Sequence, residues 1–113
     1  MKLVAQSLES LLAMNSEQLA QRVKMGDHLE TAREIEHFAY FRSRAGAEAA
    51  ASELRDDGFR VELHRKRLTW HLVARTESSL EPHTADEFLQ VLYALIERHG
   101  GMYDGWGDPL IQA

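Results

Sequence analysis

Between Phe59 and Thr76 the chain alternates apolar and polar residues twice, and this period of two limits the fold more than any other feature of its 113 residues. Val61 and Leu63 stand against Arg60, Glu62 and His64, and then Leu68, Trp70, Leu72 and Ala74 stand against Thr69, His71, Val73 and Arg75. Successive side chains of a strand point to opposite faces, so each run predicts a strand with one apolar side. Together they predict a hairpin, with Arg65-Lys66-Arg67 as a charged turn that lacks the usual Asn-Gly or Gly signature.

Helical periodicity flanks the hairpin. Ser43 predicts the cap of a helix over about 44–57, with Ala47, Ala50, Ala51 and Leu54 as a slim apolar stripe and Gly58 as its stop. After the hairpin, Thr84 and Glu87 form a capping-box pattern; Phe88, Leu92, Leu95, Ile96 and His99 line a stripe that Val91 widens, and Gly100-Gly101 ends it. Aromatic-rich segments at 34–41 and 102–106 predict a first and a last strand. In the first, Ile35, His37, Ala39 and Phe41 share one side and Glu36, Phe38 and Tyr40 the other, so both faces are expected to be partly covered. The order strand, helix, strand, strand, helix, strand predicts an α+β, ferredoxin-like fold, an antiparallel sheet with helices on one face and its first and last strands side by side.

Ahead of this unit, Val4, Leu8, Leu11 and Leu12, then Leu19 and Val23 beyond Asn15-Ser16, predict extra N-terminal helices, two short ones or one broken one. Asn15 or Ser16 is the expected cap of the second, Gly26 its end, and residues 27–33 a polar linker. Residues 1–30 are thus read as an N-terminal helical extension and 31–113 as the ferredoxin-like domain, one structural unit overall. The Leu8, Leu11, Leu12 and Leu19 stripe packs on its own sheet or offers a homo-oligomer contact to a second copy.

Composition closes several classes. Without cysteine there are no disulfides, thiolate nucleophiles or cysteine-held metal centres. The six histidines, His28, His37, His64, His71, His83 and His99, show no paired metal-ligand spacing, and Gly100-Gly101 follows a helix where a phosphate cradle must precede one. No nucleophile-elbow pattern is present, so neither catalytic residues nor a metal or other cofactor is expected. A formal charge of −5 disfavours a direct nucleic-acid partner and suits a basic protein partner. The alternatives are direct RNA binding, with Phe38 and Tyr40 as stacking residues and Arg65, Lys66, Arg67 and Arg75 as basic support, and an enzymatic or small-ligand domain whose pocket holds His37, Asp104 and Glu36 together. No apolar run is long enough to cross a bilayer and the start is too polar for a secretory signal, which predicts a cytoplasmic protein without a membrane partner.

The densest feature is Tyr103-Asp104-Gly105-Trp106-Gly107. From physics alone it reads as a glycine-kinked edge strand whose aromatics complete the core, or as contact area for a partner. Together with Ile35-Glu36-His37 and Gly58-Phe59-Arg60-Val61, in this order and separation, it resembles the bacterial B-type regulators of ribonuclease E activity over roughly residues 30–109. That resemblance implies a ferredoxin-like fold and a non-catalytic inhibitor that binds ribonuclease E or its scaffold and alters RNA turnover. It implies a candidate partner-binding patch of Glu36, His37, Tyr103, Asp104 and Trp106, brought together by neighbouring strands. The strongly acidic C-terminal tail of the best-known family pattern has no counterpart in Asp108-Pro109-Leu110-Ile111-Gln112-Ala113, which weakens the attraction to a basic target.

Overall fold

A computed structural model describes residues 7–108. In chain order the elements are α1 (Leu8–Lys24), β1 (Arg33–Phe41), α2 (Arg44–Asp56), β2 (Arg60–Lys66), β3 (Thr69–Ser78), α3 (Pro82–Arg98) and β4 (Met102–Gly107). The chain is α+β: its four strands form one antiparallel sheet in the order β2-β3-β1-β4, with the first and last strands adjacent. The period-two reading of the hairpin holds, since Val61 pairs with Ala74 and Leu63 with Leu72 on one face while Glu62 pairs with Val73 and His64 with His71 on the other.

One face of the sheet carries the helices. There α2 lies over β2 and β3, α3 over β4, and α1 packs against α3. Ala39, Phe41, Leu72, Ala74 and Tyr103 of the strands are buried against the small stripe Ala47, Ala50, Ala51 and Leu54 of α2 and the stripe Leu89, Leu92, Leu95 and Ile96 of α3, with Leu11 entering from α1. The fit is close where β4 begins: a Cβ at Gly101 would lie 2.4 Å from the Phe41 ring, so glycine is required there for the chain to pass. On the opposite face Glu36, Phe38, Tyr40, His71 and Val73 stay half-buried with no helix over them.

Several expectations are corrected. The extra N-terminal helices are one unbroken helix of 17 residues, capped by Ser7, whose side chain accepts the Ser10 amide at 3.1 Å. Asn15 interrupts nothing because it sits buried within that helix with its side chain hydrogen-bonded to other elements. Leu11 and Leu19 are buried in the chain's own fold, Val23 is exposed, and Val4 lies outside the described residues. The helix does end before Gly26, which adopts φ 86°. The polar linker is not solvated throughout, since Asp27 and Arg33 are buried.

At α3 the capping box is not used; the helix starts at Pro82 with Glu81 at the cap position and no side-chain cap. Proline fits the first turn because the amide it lacks would have had no helical partner. Ala85 and Leu89 complete the buried stripe, whereas Val91 is exposed. In the hairpin, Lys66 pairs with Thr69, so the turn is Arg67-Leu68 alone, Arg65 and Lys66 belong to β2, and Leu68 is 86% exposed instead of joining the apolar face. Ser43 caps α2 as expected, accepting the Gly46 amide at 2.9 Å.

Candidate functional site

Tyr103 and Trp106 are three positions apart, a separation that in a regular strand sends two side chains to opposite faces. β4 is not regular. Tyr103 stands opposite Ala39, Gly105 opposite Phe38 and Trp106 opposite His37, so Asp104 is an extra residue and β4 bulges. Gly105 takes φ 107° at the bulge, a conformation that strains any residue with a Cβ. The inserted residue resets the alternation, and both aromatic rings turn toward the helices.

Once inside, their polar edges are satisfied by other elements. The Tyr103 hydroxyl lies 2.8 Å from His37 Nδ1, joining β4 to β1. His37 is 1% exposed, with Phe88 and Phe59 meeting its ring edge-on at centroid distances of 5.1 and 6.0 Å, and its Nε2 has no partner. Burial therefore lowers its pKa from 6.5 to about 4 and keeps the imidazole neutral. The same burial pushes the Tyr103 hydroxyl up. Trp106 Nε1–H donates to Asn15 Oδ1 at 3.0 Å, and the Asn15 amide donates to Asp86 at 2.9 Å, so β4, α1 and α3 are tied through one side chain.

Just beyond β4, Asp108 enters a buried ionic cluster. Arg22 of α1 contacts Asp27 at 3.2 Å and Asp108 at 2.5 Å; Arg33 of β1 contacts the same carboxylates at 2.8 and 3.2 Å. Arg33 also donates to the carbonyl oxygens of His28 and Thr31, and the Arg22 guanidinium lies 5.4 Å from the centroid of the Trp106 ring. Two cations and two anions thus hold the end of α1, the start of β1 and the end of β4 together.

The other two candidate residues face the opposite way. Glu36 pairs with Arg75 at 2.8 Å on the uncovered face, where Arg75 also meets Glu62 at 2.9 Å. Asp104 is exposed beside Tyr40, whose hydroxyl is pushed up by partial burial and then by the Asp104 charge. Tyr40 in turn meets the His71 ring edge-on at 4.3 Å. The β1–β4 pair therefore carries all five candidate residues but divides them: His37, Tyr103 and Trp106 lie among the helices, Glu36 and Asp104 on the open face. A shared acid–base centre of Glu36, His37 and Asp104 does not form, because the sheet stands between its members. Among the described residues no cluster of His, Asp or Glu is arranged to hold a metal.

Arg22, Asp27, Arg33 and Asn15, which support this region, were not among the sequence candidates. Their partners are up to 91 residues away, so no local pattern in the sequence marked these four buried residues. At the edge of β4 a shallow cleft of about 160 Å³ is lined by Leu11, Met14, Gln18, Phe38, Asp104 and Trp106, among others. No described helix is long and apolar enough to cross a membrane. A family model described as "Regulator of ribonuclease activity B" matches residues 12–107. No curated protein matches the chain.

Proposed function

From the premise that the chain belongs to the regulator of ribonuclease activity B family, we propose that it regulates RNA processing without catalysis, by binding a ribonuclease E-like enzyme or its scaffold in the bacterial cytoplasm. The order β2-β3-β1-β4 with helices on one face supports a ferredoxin-like assignment for this unit. The observation that carries the functional reading is the division of the candidate residues. Glu36 and His37 cannot meet across the sheet, which speaks against an enzyme, while Phe38, Tyr40, Glu36 and Asp104 share an uncovered face that a partner can reach. In this reading His37, Tyr103 and Trp106 contribute from behind, by holding β4 in its bulged register.

The test is direct binding of the purified chain to purified ribonuclease E, compared with Tyr40→Ala and with Trp106→Ala. Tyr40→Ala should weaken capture about tenfold, roughly 1.4 kcal/mol, with its thermal midpoint kept. Trp106→Ala should lower the midpoint, since it removes the donor to buried Asn15. Capture unchanged by Tyr40→Ala sinks the open-face assignment, and a ribonuclease that is not captured at all sinks the reading itself.

A further inference from the structure

The net charge of −5 conceals a local excess of cations, three of them consecutive in the sequence and a fourth, Arg42, brought to the same end by the fold. Among the described residues, Arg22, Arg33, Arg44, Arg60, Arg75 and Arg98 each have a carboxylate at ion-pair distance, and Arg55 donates to the Val61 carbonyl. The other described cations without a carboxylate partner are Lys24, in the last turn of α1, and Arg42, Arg65, Lys66 and Arg67, of which Arg65 donates to the Arg67 carbonyl at 3.4 Å. The last four converge at one end of the sheet. Arg42 follows Phe41, which stands opposite Trp70, and Trp70 stands opposite Arg65, with Lys66 and Arg67 leading into the turn. The guanidiniums of Arg44 and Arg65 lie 5.6 and 6.0 Å from the centroid of the Trp70 ring, which fixes where they present their charge.

A second observation comes from the turn. Arg67 adopts φ 60°, the one positive φ of a non-glycine residue among those described. Glycine would occupy this position without strain, yet an arginine stands there, beside a leucine that is 86% exposed. The two-residue turn itself calls for a positive φ at its first position, and it holds the Arg67 side chain out in solvent.

We propose that this end of the molecule binds single-stranded RNA through its phosphates, a contact that shares only Tyr40 with the proposed protein-binding face. Three of the four cations are arginines, whose planar guanidinium matches phosphate oxygens two at a time. Trp70, beside Arg65 on the helix side, and Tyr40 and His71, on the same uncovered side as Lys66, offer partly exposed rings on which unpaired bases can stack. An acidic protein surface would satisfy the cations but leaves the Trp70 ring, which lies off the face assigned to the protein partner, without a role. The acidic remainder of the chain repels a polyanion at long range, so binding rests on the short-range phosphate contacts, and counterion release at those contacts makes it salt-dependent.

Fluorescence anisotropy with a labelled oligouridine of about 12 nucleotides tests this without any ribonuclease present. Four phosphate contacts predict an affinity loss of about fifty-fold between roughly 50 and 200 mM salt. Arg65→Ala, Lys66→Ala and Arg67→Ala combined should reduce the slope of log affinity against log salt by about 2. Because Arg65 also touches Trp70, the pair Lys66→Gln and Arg67→Gly serves as a second variant: it relieves the turn, should keep or raise the thermal midpoint, and should still weaken RNA binding. Three results would overturn the proposal: no binding at the lower salt, binding that both variants leave unchanged, or displacement of the RNA by polyglutamate as effectively as by unlabelled RNA.

Discussion

His37 shows how much one buried atom decides. Its Nδ1 has the Tyr103 hydroxyl and its Nε2 has nothing, so protonation would place a charge among Phe59, Phe88 and Tyr103 with no anion to meet it. The folded pKa lies near 4 against 6.5 for a free imidazole. Below 6.5 the unfolded chain therefore takes up a proton that the folded chain refuses, and stability falls as pH drops through that window. The loss is complete near pH 4 and amounts to about 3 kcal/mol at most. His71, also lowered mainly by burial, adds in the same direction. Urea denaturation across this range should show the decline in the native chain and a shallower one in His37→Phe; identical profiles would mean that His37 does not titrate as described. The sequence placed His37 correctly on the side of β1 shared by Ile35, Ala39 and Phe41, but its partner Tyr103 is 66 residues away and was legible only as a member of a dense motif.

Among the elements, helix starts separate what is local from what is not. Ser43 is read correctly as a cap because the interaction spans three residues and needs nothing else. Thr84 and Glu87 have the same local signature, yet α3 already begins at Pro82. Accordingly Ser43→Ala should cost about 1 kcal/mol and Thr84→Ala less than about 0.5 kcal/mol, both by chemical denaturation; equal losses would restore the capping box. The break expected at Asn15-Ser16 failed for a related reason. Asparagine at a helix interior competes with the backbone unless its side chain is engaged elsewhere, and here Trp106 and Asp86 engage it. In β4 the glycine at 105 was visible, but the bulge that turns Tyr103 and Trp106 to the same face depends on pairing with β1.

For the whole molecule, the cluster of Arg22, Asp27, Arg33 and Asp108 joins the N-terminal helix to central strand β1 and to the end of edge strand β4. Arg33 is 4% exposed, so its replacement leaves two carboxylates buried beside a single cation. Arg33→Met should destabilise the chain by about 3–5 kcal/mol, measured by urea denaturation, and truncation of α1 should be comparably severe through loss of Arg22, Asn15 and Leu11. A change below about 1 kcal/mol would show that the cluster is solvated in solution.

The amino-acid sequence by itself determined the order of the sheet strands and the two helices between them, the apolar side of the hairpin strands and the Ser43 cap, because periodicity and capping are properties of adjacent positions. It also carried the motifs of its family. What only the tertiary structure decided was the fate of its polar residues: Asn15, Asp27 and Arg33 buried, Glu36 and Asp104 parted from His37, and Arg42 brought to the end of the sheet that holds the hairpin cations. Pairing across many residues depends on which elements meet, and charge summed along a chain does not reveal where in space it is neutralised.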